Sequence, residues 1–496
     1  MVIYNFLSTF SKSNNNTTLW KIFISTILRK WNSKVRNNKP FPPCPKSWPI
    51  IGSLPQIFLK NKTTFIYWIH KIMEEMNTEI ACIYLGKVHV IPITSPELAC
   101  EFLKIQDSIF SSRPICMSAS LISNNYLTSV FLPIGDQWMK MRKILASHVL
   151  SPTSFQWLRP KRDEAINDLV QFVYNQCINQ QVINLRQVTR CYCGNVIRNM
   201  IYNKRSLFGS IEEEEQVDAH FTLLKYLHCF GISDYLPWLS VFDLDGHKAI
   251  IKKAYDIATK QIDIEVDHRI QIWKDGNKIL EEDILDVLIM LKDDNGNPLM
   301  NVKEIKAQVL LMQKAIKELN NVVGMNRLVQ ESDLPRLNYV KACIKEAFRL
   351  HPITPFNVPH VSVSDTIIGE KYFIPKGSIV LLSRLGLGRN PRVWKDPLKF
   401  KPERHLKRKD GSEVVLTDSK LRLLSFSIGR RGCPAVKLGS TITTMLLARL
   451  LQGFTWSLPP NSSCSDLIES SKIDHFCTSP LLAQAKPRLA EAIYHL

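Results

Sequence analysis

The stretch Ser425-Phe426-Ser427-Ile428-Gly429-Arg430-Arg431-Gly432-Cys433-Pro434-Ala435 holds the residues best suited to chemistry. Two glycines and two arginines precede a cysteine, and an amphipathic helical pattern begins straight after it. Proline suits the first helical position, where no amide donor is needed, so Pro434 predicts that Cys433 sits at a helix N-terminus beside cations. Both surroundings favour a thiolate, and a thiolate held this way is a metal ligand or a nucleophile. Gly429 and Gly432 would let backbone amides approach the sulfur, which tunes a metal-bound thiolate. A small residue capping a helix would explain Cys433, but neither the glycines nor Arg431.

Three further groups carry charge toward an interior. Trp138, Met141, Arg142, Leu145, Ala146 and Val149 share one face of a helix opening near Asp136, so Arg142 points inward with Trp138. An unpaired cation there is costly, and a buried anion should meet it, unless the arginine snorkels to the surface. Near residues 335–350, Leu337, Val340, Ile344, Ala347 and Phe348 form an apolar stripe, with Glu346 and Arg349 one turn apart beside it. Alone this is an ordinary helix ion pair; Arg404, in Phe400-Lys401-Pro402-Glu403-Arg404, could complete a buried network.

Taken in order, WxxxR, ExxR, PER and FxxGxRxC with a small residue two places on resemble the cytochrome P450 family. The motifs span residues 138 to 435; each is weak by itself, but the ordered set is specific. The resemblance implies a mainly α fold with small β-sheets and a haem b cofactor whose axial ligand is Cys433. It implies that Trp138, Arg142, His360 and Arg431 contact the propionates, and that Phe426, Gly429 and Ala435 shape the cysteine loop. Glu346, Arg349 and Arg404 become a structural triad on the proximal side. O2 as co-substrate and electrons from NADPH, through an NADPH–cytochrome P450 reductase, follow from the same likeness.

Two departures narrow the branch. Ala435 stands where most members have glycine, and His360, in Val358-Pro359-His360, stands where most have arginine. With Phe356-Asn357-Val358-Pro359-His360, Lys345 to Pro352, EMNTEIACI, GDQW and DYLPWLSVFDLDGH, they resemble the plant aldoxime-forming members. Those N-hydroxylate an amino acid twice, and loss of water and CO2 gives the aldoxime. Met117, Thr354, Phe356 and Asn357 are the implied substrate contacts, and Arg113 is a conceivable carboxylate partner or a structural arginine. A different plant secondary metabolite as substrate, or a non-catalytic haem-binding remnant, are the competing readings.

The elements that must position these residues read as mainly helical between the proline-rich stretch and residue 350. A strand pair near 81–92 turns at Gly86, 355–385 is β-rich, and a helix and a β-like tail come after 434. Helices and strands do not alternate as in a doubly wound sheet. Pro40, Pro42, Pro43, Pro45 and Pro49 enforce extended backbone, so residues 39–56 read as a stiff hinge. Before it, 1–38 reads as a weak signal anchor: TTLWKIFISTIL at 17–28, interrupted by Lys21, precedes Arg29, Lys30, Lys34, Arg36 and Lys39. This predicts an endoplasmic reticulum membrane location with the 57–496 body facing the cytosol.

One element is short. Glu304 to Val309 resembles the start of the family's long distal helix, yet Glu318 to Gly324, which belongs beyond the following helix, arrives almost at once. The inferred gap near 309–313 is roughly 25 to 30 residues, or about 40 Å of helix. The acidic residue and threonine usual there are absent, and so is the Asn-Pro of the aldoxime branch. Asn297-Pro298 and Asn390-Pro391 both lie in turn-like contexts and cannot replace it. The fold expected is therefore an incomplete one.

Composition agrees with a globular body. Apolar residues are 45% and charged residues 22% of 496, outside the disordered and collagen-like ranges. Sixty-four basic against 45 acidic residues give +19, which suits an anionic surface or an acidic protein partner. The positive residues are spread along the chain, which argues against nucleic acid. Twelve cysteines without any CxxC predict buried reduced thiols, Cys433 excepted.

Overall fold

The computed structural model describes residues 39–276, Asp283, 327–457 and 482–495, apart from 49, 60–64, 205–214, 217, 221, 224–225, 227–230, 237–242 and 407–412. The anchor segment and the expected distal-helix gap lie outside the described residues. Helices dominate: α1 (Phe65–Glu75), α2 (Asp136–Ile144), α3 (Arg159–Ile178), α4 (Leu185–Tyr202), α5 (His247–Lys274), α6 (Asn338–Leu350), α7 (Arg384–Arg389) and α8 (Val436–Gly453), with several single turns between them. The strands are β1 (Ile83–Leu85), β2 (Val88–Ile93), β3 (Ile183–Asn184), β4 (His360–Val361), β5 (Thr366–Ile368), β6 (Tyr372–Ile374), β7 (Ile379–Leu382), β8 (Phe454–Ser457) and β9 (Leu482–Pro487).

Helices α3, α4 and α8 enclose one large core, where Ile166, Leu169, Val196, Ile201, Ile442 and Leu446 are fully buried. A second core sits under the sheet β1-β2-β7-β4. Within that sheet β1–β2 is an antiparallel hairpin, while β2 and β7 run parallel with Val90 opposite Ile379. Gly86 makes the hairpin turn at φ +58°, and a side chain there would meet the Tyr235 carbonyl at 2.7 Å. His360 is placed by β4, paired antiparallel to β7 opposite Val380. Ser383 follows β7 and caps α7, its Oγ accepting from the Gly386 amide at 2.7 Å.

The proline-rich stretch is extended, as its composition predicts, but it is fastened to the body. Pro40 and Pro43 carbonyls accept from the Phe373 and Cys82 amides, both at 2.9 Å. Phe41 stacks on His89 at 5.5 Å and meets Phe373 edge-on at 5.8 Å. A helical turn, Leu54–Leu59, opens before the anticipated end of the hinge at 56.

The apolar face around Trp138 differs from the straight-helix expectation. After α2 the chain makes one wide π-type turn, Leu145–Val149, which adds a residue to the turn and rotates the chain beyond it. Trp138, Met141, Ile144, Leu145 and Val149 are buried, whereas Ala146 faces outward. The cysteines also depart from expectation. Cys82, Cys191 and Cys193 are buried, but Cys100, Cys116, Cys177 and Cys343 are half-buried and Cys44 is exposed.

Where the described chain resumes at Arg327, it is held by buried polar contacts. Arg162 of α3 clamps Glu331 through Nε–Oε1 (2.6 Å) and Nη2–Oε2 (2.9 Å) while lying over the Phe155 ring. Gln452 of α8 accepts from the Val329 amide and donates to the Arg327 carbonyl. Breaking a buried pair strands a charge, so Arg162→Met is expected to lower unfolding stability by about 3–5 kcal/mol. Denaturant titration followed by circular dichroism checks this, and Glu331→Gln should lose less.

Candidate active site

The cysteine loop is built by chain reversal. Ser427 and Gly429 adopt positive φ (56° and 75°), and the Cys433 amide then donates back to the Phe426 carbonyl at 2.8 Å. A Cβ on Gly429 would lie 2.5 Å from the Leu103 carbonyl and 2.8 Å from Asp107 Oδ1, so only glycine lets the loop pack there. Phe426 meets Phe348 of α6 edge-on at 6.1 Å, and Gly439 of α8 leaves room for its ring, a Cβ there lying 3.1 Å from Cε1. The loop is thereby wedged between the two helices that flank it.

Around the sulfur the structure corrects the expectation. Helix α8 starts at Val436, with Ala435 as its cap, so Pro434 precedes the helix rather than opening it. Burial pushes the Cys433 thiol up, and the Ala435 amide, Arg384 and Arg142 pull it down without prevailing. The amide reaching the sulfur belongs to Ala435; that of Gly432 is spent on the Gly429 carbonyl at 2.9 Å. The surroundings alone therefore favour the thiol, and a bound metal cation is what would hold the thiolate.

Four cationic or titratable side chains gather beside this loop. Arg431 is buried, its guanidinium 4.4 Å from the Trp138 ring centroid and its Nε donating to the Ser111 carbonyl at 2.5 Å, while Nη2 has no partner among the described residues. Burial, then the charge of Arg142, pushes Arg431 down to about 10. Arg142 is half-buried, and burial lowers it too. His360 is buried and donates from Nδ1 to the Phe110 carbonyl at 2.8 Å, since a carbonyl can only accept. Its Nε2 is unpartnered among the described residues, and burial with the charges of Arg113 and Arg431 holds it neutral. With Nδ1 donating to Phe110, His360 could donate to a propionate from Nε2 only when protonated at both nitrogens.

Arg113 is committed to structure. It donates to the Val130 (3.2 Å), Val358 (2.7 Å) and Pro359 (2.8 Å) carbonyls. Among the described residues, the acceptors of Arg113, Arg431 and His360 are neutral carbonyls, and the nearby carboxylate of Asp107 is bonded to Arg430. Buried Arg113 and Arg431 with half-buried Arg142, Arg431 Nη2 lacking an acceptor among the described residues and the nearby carboxylate engaged by Arg430, fit an anionic ligand, and the two propionates of haem meet that need.

Below the loop, the anticipated triad is assembled and larger than expected. Fully buried Arg349 clamps Glu346 through Nη2–Oε1 (2.7 Å) and Nε–Oε2 (2.8 Å), and Arg404 Nε lies 3.1 Å from Oε1. His405 Nε2 donates to Oε2 at 2.7 Å and the Lys401 amide to Oε1 at 2.9 Å. Arg349 also donates to the Gly388, Pro397 and Lys399 carbonyls, and a Cβ on Gly388 would come within 2.1 Å of the Arg349 carbonyl. Trp394 lies beneath three guanidiniums, those of Arg349, Arg404 and Arg422, at 5.1, 5.8 and 5.0 Å.

A cavity of about 420 Å³ is walled by residues including Arg113, Cys116, Asp234, Phe356, Asn357 and Ile379. Phe356 and Asn357 were anticipated as substrate contacts; Met117 and Thr354 are not among its described walls. The Met117 amide donates to Asp234 Oδ1 at 2.7 Å, and Thr354 Oγ1 to the Phe356 carbonyl at 2.7 Å. Asn357 is a bridge: Oδ1 accepts from Arg384 Nη2 and Nδ2 donates to Ser427 Oγ, both at 2.9 Å. Sequence reasoning missed His405, Trp394, Arg384 and Asp234. The first is adjacent to Arg404, which was the available signal; the others become significant only through long-range folding.

A fold of this class, with a buried cation cradle beside a cysteine loop, defines a haem-thiolate protein. A family model described as Cytochrome P450 matches residues 42–315 and 310–486, and the chain belongs to that family. As a member it is a haem-dependent monooxygenase, using O2 and NADPH-derived electrons delivered by a reductase. It is 49% identical to Isoleucine N-monooxygenase 1 of Lotus japonicus over 91% of each chain. It is 47% identical to Tyrosine N-monooxygenase of Sorghum bicolor over 92% of this chain and 88% of that one. With Valine N-monooxygenase 1 of Manihot esculenta it shares 46% over 99% of this chain and 97% of the other.

Acid exposes the weight of the proximal network. Burial alone would raise Glu346, but the hydrogen bonds from Arg349, His405 and the Lys401 amide outweigh it and hold the carboxyl at about 2, against an ordinary 4.5. The folded state's preference for the carboxylate is therefore fully present above about pH 4.5 and lost as pH falls from there toward 2. Glu346→Gln should flatten that acid limb and lower stability at neutral pH by about 3–5 kcal/mol, read by unfolding at several pH values.

Proposed function

We propose that the site is that of an amino-acid N-monooxygenase that converts an L-amino acid to its aldoxime. The observation that carries this reading is the buried cation cluster beside Cys433, taken with relatives whose names specify isoleucine, tyrosine and valine N-monooxygenation. In this reading Cys433 would bind the haem iron, and Trp138, Arg142, His360 and Arg431 would hold the propionates. Haem bound there supplies oxygen activation. Phe426, Gly429 and Ala435 keep the sulfur in place, and Glu346, Arg349 and Arg404 keep the loop's support rigid. Phe356 and Asn357 orient substrate from the cavity side, with Met117 and Thr354 shaping the loops behind them. Two hydroxylations at nitrogen, each using one O2 and two electrons, give the N,N-dihydroxy amino acid; loss of CO2 and water leaves the aldoxime.

The exposed cations Lys104, Arg430 and Lys437 lie by the cysteine loop and suit an acidic docking face of NADPH–cytochrome P450 reductase. The basic residues after 28 support an anchor at 1–38 on the endoplasmic reticulum membrane, a hinge at 39–56 and a haem domain at 57–496 facing the cytosol. Among the described residues no helix is long and apolar enough to cross a membrane.

A second reading rests on its own observation. The family model matches in two stretches that meet at 310–315, and the Manihot esculenta alignment extends over 537 positions, more than this chain's 496 residues. Both support a shortened distal helix near 309–313, which would leave a haem-binding but non-catalytic protein. Co-expression with a plant reductase separates the two. Spectral shifts on adding L-amino acids and aldoxime detected by mass spectrometry support the enzyme. Their absence from this chain, with their appearance once a transcript carrying additional codons at Val309–Leu310 is expressed, supports the shortened form. Turnover of a terpenoid or phenolic instead would contradict both.

A further inference from the structure

Cys44 lies on the fastened proline-rich segment, exposed to solvent, and its thiol donates to the Pro42 carbonyl at 3.1 Å. Cys82 is fully buried just ahead of β1, and its amide donates to the Pro43 carbonyl, beside Cys44, at 2.9 Å. That backbone bond sets the two residues side by side, where each thiol shifts the ionisation of the other and the Tyr84 hydroxyl acts on both. This backbone clamp fixes which thiol faces which, and Cys44 alone of the two is open to a reagent.

We propose that Cys44 and Cys82 form a peroxide-sensitive modification site, at which oxidation closes a disulfide between the proline-rich segment and the sheet. The pair divides the two roles such chemistry requires. The neighbouring Cys82 lowers the Cys44 thiol, whereas Cys44, then burial, raises Cys82. Cys44 therefore ionises first, and Cys82 waits as the resolving thiol. The Cys44 thiolate attacks hydrogen peroxide, breaking its O–O bond; the sulfur takes up OH as sulfenic acid, and the departing hydroxide takes a proton to become water. Cys82 sulfur then displaces that hydroxyl as a second water, forming the S–S bond. Two thiols and one peroxide become one disulfide and two waters, a two-electron oxidation.

The consequence is covalent fastening of a segment otherwise held by hydrogen bonds and the Phe41 stack. Full-length protein is treated with hydrogen peroxide, alkylated, digested and read by mass spectrometry, with and without dithiothreitol. The expected result is a Cys44–Cys82 linked peptide that dithiothreitol removes and C44S abolishes. In C82S, dimedone should capture a sulfenic acid at Cys44, and unfolding in urea before oxidation should suppress the specific link. Recovery of Cys82 as a free thiol while Cys44 is alkylated or irreversibly oxidised would overturn the proposal, as would pairing of Cys44 with other cysteines in folded protein.

Discussion

The arrangement that organises this molecule is a group of positive charges buried without a negative partner among the described residues. Arg113 and Arg431 donate to backbone carbonyls, as does neutral His360 beside them, and Arg142 reaches the same place from α2. Carbonyl acceptors satisfy donors but do not cancel charge, so desolvation pushes each of these groups toward its neutral form. Such an assembly is poorly balanced by protein alone. A ligand carrying two carboxylates supplies what the polypeptide omits, which couples completion of the fold to cofactor binding.

Everything around that cradle fixes the loop bearing Cys433. From below, Phe426 locks between α6 and α8, and the Glu346 network ties α6 to the segment from Gly388 to His405. From the cavity side, Asn357 links Ser427 to Arg384, so the cavity wall and the cysteine loop share one hydrogen-bonded bridge. A displacement on either side would be felt at the sulfur, because these connections run through short, buried, mostly charge-assisted bonds.

Much of this was legible in the sequence because the motifs are local. ExxR places Glu346 and Arg349 on one helix face whatever surrounds them, and the glycines of the cysteine loop announce a reversal that only glycine permits. The features that escaped it depend on non-local folding. Trp394 collects three guanidiniums because residues 349, 404 and 422 converge on it, and no spacing rule encodes that. Ala146 was misplaced because one wide turn after α2 breaks the 3.6-residue period. The thiolate at Cys433 was inferred from nearby cations, yet burial outweighs them. Likewise the exposed Cys44 breaks the pattern of reduced, interior thiols that composition alone suggests.

The central claim is that this polypeptide closes around haem with Cys433 as ligand, and one spectrum reads it directly. Purified full-length chain, supplied with haem, reduced and exposed to carbon monoxide, should show the red-shifted Soret band diagnostic of a thiolate opposite the gas. A band at the position of a neutral-ligand haem, or no haem uptake at all by folded protein, would contradict the account.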